Sequence, residues 1–142
     1  MRTLNVFDVS ENHIVRAADT HRLQRGVMLF GLAFTGRGND TSVAFSHSKS
    51  VTLQRLRHTS LPLRLEPLSS ANLSAPSWLV FREDRLLLVG NGNTNANQNA
   101  IVLLRVSGDA LTEQQTLCNA QHGDSVKAEA FAGSRLVLLD WK

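Results

Sequence analysis

The sequence predicts an all-β chain of antiparallel, propeller-like blades, incomplete as a ring and carrying about two blades. Three observations lead there. Apolar or alternating runs of about six residues are separated by turns rich in Gly, Ser, Asn and Asp, the punctuation of short strands. Between Ala75 and Leu117 four such runs follow one another in order. After a loop the pattern restarts, with Val126 to Ala132 in the place of Pro76 to Phe81 and Leu136 to Trp141 in the place of Leu86 to Asn91. A four-stranded blade takes roughly 40–50 residues, so a chain of 142 holds too little for a large closed ring. About eight to ten strands are expected.

Taken in order, Leu4 to Val9 reads as a strand, Ser10-Glu11-Asn12 as a turn and Ile14 to Ala18 as a return strand. A short helix capped by Ser10 fits the same residues, because Ile14, Val15, Ala17 and Ala18 also share a helical face. Residues 1–26 are set apart as an N-terminal extension, and residues 27–142 form the blade-bearing domain. Val27 to Thr35 reads as a buried strand, ended by a Gly/Asn/Asp loop from Gly36 to Asp40. Thr41 to Ser46 and Val51 to Arg57 alternate with period two, Val43/Phe45 and Val51/Leu53 marking their inward faces. Leu61 to Pro67 has apolar residues at odd positions but two prolines that cannot donate to a ladder, which makes it an edge strand or an extended connector. Leu68 to Ala75 is Ser-rich and reads as the loop between blades.

The second blade runs Pro76 to Phe81, a turn at Arg82-Glu83-Asp84, Arg85 to Asn91, Ile101 to Val106, a turn at Ser107-Gly108-Asp109, and Leu111 to Leu117. Its expected core is Trp78, Leu79, Phe81, Leu87, Val89, Val102, Leu104 and Val106. The second strand is apolar on both faces, so the choice between Leu86/Leu88 and Leu87/Val89 stays open. Asn91 to Asn99 is a low-complexity tract whose amides compete with the backbone for hydrogen bonds, and it reads as a long exposed loop. The run Leu136 to Trp141 is apolar, lacks Pro and lies where a third strand should pair with it. Such an edge is a template for another chain, so self-association is expected unless Leu4 to Val9 folds back to cover it.

Composition narrows the function classes. Hydrophobic residues make up 42% and charged residues 19%, ordinary for a globular core. The net charge of +3 is uneven: nine basic and five acidic residues lie in 1–67, six and seven in 68–142. No block of like charge occurs, so nucleic acid is not an expected partner, and a basic binding module using Arg55, Arg57, His58 and Arg64 is kept only as a rival. The single Cys118 rules out an intrachain disulfide, and the five His residues show none of the usual metal-ligand spacings, so neither metal nor cofactor is expected. The amino terminus lacks the apolar core of a signal peptide, and the longest apolar run, Val27 to Phe34, is too short for a bilayer. The expected location is the cytoplasm, away from membranes.

Four short motifs carry a family resemblance: Pro76-Ser77-Trp78-Leu79, Leu88-Val89-Gly90-Asn91, Gly108-Asp109-Ala110-Leu111-Thr112 and Leu139-Asp140-Trp141. They resemble the Pro-Ser-Trp-Leu, the apolar strand ending in Asn, the Gly-x-Leu-Thr hairpin and the strand ending in Asn-Tyr of the seven-bladed lactonase family, typified by 6-phosphogluconolactonase and the carboxy-muconate cyclase. The resemblance implies a small-molecule lactone bound at the mouth of a central channel, with catalysis by His, Arg and Glu of middle blades. By blade order those residues would lie beyond Lys142. The positions implied to face the channel are Asn91, Asp140 and Lys127. Gly92 and Lys127 stand where the family has Glu and His, so the isolated chain is expected to be inactive. A non-enzymatic β-sheet interaction module is the alternative.

Overall fold

The computed structural model describes residues 3–9, 14–22, 31–37, 40–57, 64–93, 98–118 and 126–140. Twelve strands lie among them: β1 (Thr3–Val9), β2 (Ile14–Arg22), β3 (Gly31–Arg37), β4 (Asp40–Ser46), β5 (Ser50–Arg57), β6 (Arg64–Asn72), β7 (Pro76–Arg82), β8 (Leu86–Asn93), β9 (Gln98–Ser107), β10 (Ala110–Cys118), β11 (Val126–Ala132) and β12 (Arg135–Asp140). They form four antiparallel sheets, β1-β2, β3-β4-β5-β6, β7-β8-β9-β10 and β11-β12, and none closes into a barrel. The fold is all-β, with two whole four-stranded meanders and a two-stranded hairpin at either end. At the N-terminal hairpin Val9 pairs with Ile14, so the strand reading of Ile14 to Ala18 holds over the helical one. Residues Val27 to Phe30, His13, His58, His122 and Trp141, all used in reading the sequence, lie outside the described residues.

Two expected loops are strand in part. Leu68 to Asn72 belongs to β6, which runs through Pro67 and pairs along β5 from Arg57↔Arg64 to Ser50↔Asn72. Pro67 is tolerated because β6 is the outer edge of its sheet, and the register shift opposite Leu53/Gln54 leaves Leu68 as the extra residue of a bulge. The Asn tract is likewise shorter as a loop than its composition suggests. Gly92↔Asn99 and Asn93↔Gln98 continue the β8–β9 ladder into it, leaving only 94–97 between the strands. The N-terminal hairpin and β6, for which a helix and a connector are the rival readings, bring the strands among the described residues to twelve, above the expected eight to ten.

The two four-stranded sheets stack face to face in the same strand order. First strand lies near first strand, β3 against β7 and β7 against β11, and last near last, β6 against β10. The seam is a single apolar cluster: Ala33, Ala44, Val51 and Leu53 of the first sheet meet Leu79, Leu87, Val89, Val102 and Leu104 of the second, with Phe81 and Val106 packed at its margin. The open choice on β8 resolves to Leu87 and Val89, both fully buried, because their neighbours Val102 and Leu104 are the buried residues of β9. Val43, Phe45 and Leu56 form a second cluster on the far face of the first sheet, with Leu65 beside it. The central strand β4 is therefore buried on both faces, Ala44 one way and Val43 and Phe45 the other.

Polar contacts tie the stack at both ends. The Ser46 hydroxyl donates to the Ser77 carbonyl at 2.6 Å. At the opposite end Thr35 donates to the Glu83 carbonyl at 3.2 Å and also bonds the Asp84 carboxylate. The Arg55 guanidinium reaches Asp109 at 2.5 Å, and the Leu111 amide donates to Ser69 Oγ at 3.1 Å. Gly31 is the point of closest approach: a Cβ there would overlap the Ser77 carbonyl and the Ser46 hydroxyl. Gly90 plays the same part within the second sheet, since its missing side chain is the space filled by the Trp78 indole.

Candidate functional site

The first strand pairs of three sheets repeat one geometry. The first residue of each leading strand, Gly31, Pro76 or Val126, faces Ser46, Asn91 or Asp140 respectively on the strand that follows. A polar residue thus occupies the same register position three times, at one end of the stack, at intervals of roughly 45–50 residues, the length of a blade. The backbone brings Lys127, which follows Val126, to this same end of β11, at the register shift opposite Asp140. The side chains of Lys127 and Asp140 lie outside the described residues.

Two of the three polar residues have structural partners. Asn91 Oδ1 accepts from the Ala75 amide at 2.9 Å, and Asn91 Nδ2 donates to Ser74 Oγ at 3.2 Å. The Gly92 amide then donates to the Ala75 carbonyl at 2.9 Å. Asn91 is in this way a clamp on the connection between the two sheets, closing a turn that its short amide side chain suits. Ser46, fully buried, is committed to the Ser77 carbonyl. His47, next to Ser46, donates its backbone amide to the Ser50 carbonyl, and its Nε2 lies 2.9 Å from Thr52 Oγ1. Burial holds the His47 imidazole below its ordinary pKa of 6.5, so near neutral pH it is uncharged.

Reading the residues alone misses the opposite end. An open groove of about 640 Å³ runs there between the β7–β8 turn and the end of β9, lined by Glu83, Asp84, Arg85, Arg105, Ser107 and Gly108. Its shape depends on Glu83, whose φ of 54° lies in the left-handed region that non-glycine residues seldom occupy. The charged turn Arg82-Glu83-Asp84-Arg85 is the sequence signal. Arg82 itself turns away, its guanidinium 5.8 Å from the centre of the Phe131 ring, joining the β11–β12 hairpin to the second sheet.

The basic residues at the sheet surface are partly neutralised. Arg55 pairs with Asp109 and Arg57 with Glu66 at 3.1 Å. Among the described residues no three His, Cys, Asp or Glu side chains gather into a metal-ligand cluster. No helix among them is long and apolar enough to cross a membrane. A scan against protein-family models finds no match, and no curated protein matches the sequence.

Proposed function

We propose that this chain is a blade-bearing portion of a lactonase-like propeller, a scaffold that presents the ends of its innermost strand pairs to a central channel and does not hydrolyse lactones by itself. The observation that carries the reading is the repeated register, with Ser46, Asn91 and Asp140 each facing the first residue of a leading strand. Lactone opening requires an acid or base within about 3 Å of the reacting oxygen and a cation such as a bidentate Arg for the substrate's anionic group. Ser46 and Asn91 already spend their polar atoms on Ser77, Ser74 and Ala75. Neither is a general acid or base at neutral pH. The test is the opening of 6-phosphogluconolactone followed with and without the isolated chain. The expected rate is the spontaneous one, and a protein-dependent rate abolished by Asn91→Ala or Asp140→Ala would overturn the reading.

A β-sheet interaction module is the second reading, favoured by a specific observation: Leu32, Phe34, Leu117, Val137 and Leu139 are large apolar side chains left exposed. The two readings share the blades and differ in what the ends are for.

A further inference from the structure

Asn91 is the only asparagine in the chain that is followed by glycine. The pairing matters chemically, because a glycine puts no Cβ in the way of its own nitrogen. Once that nitrogen gives up its proton, it can attack Cγ of the asparagine before it. The new N–C bond closes a succinimide ring, and the side-chain nitrogen leaves as ammonia. Water then opens the ring, at Cγ to give aspartate or at the backbone carbonyl to give isoaspartate. Water is consumed and ammonia released, with nothing oxidised or reduced.

The fold holds each group that this reaction needs. The Gly92 amide, whose proton must leave, donates to the Ala75 carbonyl at 2.9 Å. Asn91 Oδ1 accepts from the Ala75 amide at 2.9 Å and Nδ2 donates to Ser74 Oγ at 3.2 Å, which keeps Cγ from turning onto the Gly92 nitrogen. All three bonds run to the connection between β6 and β7. That connection is pinned in turn to the first sheet, where Leu73 is buried in the apolar cluster and its amide donates to the Lys49 carbonyl at 3.1 Å. The pairs Asn91↔Ala100 and Gly92↔Asn99 belong to the β8–β9 ladder and do not involve it. Lifting residues 73–75 therefore frees both nucleophile and target while β8 stays paired with β9.

We infer that Asn91-Gly92 is a gated deamidation site, closed while the connection at 73–75 is seated and reactive when it lifts. The inference stands whether or not this end of the stack faces a channel. The fold suits the aspartate product. With aspartate at position 91 one carboxylate oxygen still accepts from the Ala75 amide, and the other faces Ser74 Oγ, a hydroxyl that can turn from acceptor to donor. The chain already carries aspartate at this register in its last hairpin, Asp140 opposite Val126 where Asn91 stands opposite Pro76. Isoaspartate instead lengthens the backbone by a methylene and puts β8 out of step with its neighbours. Deamidation to aspartate thus writes a negative charge into the end of the stack that holds Ser46 and Asp140, and leaves the strands in place.

The full chain is incubated at mildly alkaline pH, folded and in denaturing urea, and each asparagine is followed by peptide mass spectrometry. In urea Asn91 is expected to deamidate before any other asparagine, and in the fold about tenfold or more slowly, the factor that three ordinary hydrogen bonds set on opening. Ser74→Ala leaves Asn91 and Gly92 in place and removes one of those bonds, so it should speed the folded reaction roughly 2- to 10-fold and leave the rate in urea unchanged. Leu73→Ala should speed it further by unseating the connection. Gly92→Ala should slow the reaction in urea, which identifies the succinimide route. Asn91→Asp should keep the β-rich circular dichroism and melt within about 4 °C of the parent. Equal rates in fold and urea, a folded rate untouched by Ser74→Ala, or reaction at Asn93 or Asn99 ahead of Asn91 would each overturn the gated site. Loss of the strand spectrum in Asn91→Asp would overturn the tolerated product.

Discussion

Replacing Gly90 by Ala tests the seam between sequence and packing most directly. The Gly90 backbone is not in the left-handed region, so Ala fits it without torsional strain. On backbone entropy alone the change would stabilise the fold by about 0.4–1 kcal/mol, through the unfolded chain. Sterics reverse the sign. The new Cβ would overlap the Trp78 indole at Nε1 and Cε2 and sit 2.7 Å from Cδ1. The indole cannot swing aside freely, because Trp78 is buried and its Cα lies beside Gly31. Overpacking of this kind costs about 1–3 kcal/mol, a fall in Tm of roughly 3–12 °C for a chain of this length. Thermal melts followed at 218 nm, with parent, Gly90→Ala, Trp78→Leu and the double variant in parallel, complete a cycle. In the Trp78→Leu background the Ala substitution should be neutral or stabilising, giving a coupling of about 1–3 kcal/mol. A Gly90→Ala chain that melts at or above the parent temperature would refute the placement of Trp78 over Gly90, and with it the register of β7 on β8.

Trp78→Ala should destabilise the fold by about 3–5 kcal/mol in a urea titration, the cost of a large cavity over Gly90. Gly31→Ala should cost more than Gly90→Ala, because the obstacle is the Ser77 carbonyl rather than a side chain, and its Tm measured beside that of Gly90→Ala ranks the two. Asn91→Ala should lose about 1–2 kcal/mol of stability through the amide of Ala75 and the hydroxyl of Ser74, a loss read by denaturant titration that a purely ligand-facing residue would not show. His47 is held below 6.5 in the fold, so between its folded value and 6.5 the unfolded chain binds more protons, and stability is lost as pH falls through that window. Glu129, raised above 4.5 by burial, acts in the opposite sense, losing stability as pH rises past 4.5. His47→Gln should therefore melt with a smaller drop than the parent between pH ~7.5 and ~5, the Glu129 contribution being common to both.

Much of the fold was legible because period-two patterns were strong where one face is buried. Val43/Phe45 and Val51/Leu53 announced β4 and β5, and the restart at Val126 announced β11. Two inferences failed for physical reasons. Pro67 reads as an end of strand, yet an outer edge has no partner to demand its amide, and the Ser-rich residues beyond it continue the ladder. The Asn tract reads as loop by side-chain chemistry, yet backbone pairing with Gln98 and Asn99 outcompetes the amides over its first residues. What binds one sheet to the next was beyond local reading. Ser46 and Ser77, or Thr35 and Asp84, stand in separate strands or turns with nothing in their neighbourhoods to announce a bond. Of the site positions, Asn91 and Asp140 were found at matching registers, while Ser46, the third of the set, was missed because Ser carries too little signal at a strand end.

The position of Trp78 gives the molecule an optical gauge of its own seam. The chain has two tryptophans, so replacing Trp141 by Phe leaves Trp78 as the single long-wavelength emitter. Its ring fills the space over Gly90 on its own sheet, and its Cα lies beside Gly31 on the other. Separation of the sheets would shift its emission to the red and admit a soluble quencher while the far-ultraviolet strand signal stays intact. Melting of the strands would move both signals together. Blade parting and blade unfolding, which a calorimeter merges into one transition, can thus be told apart by colour.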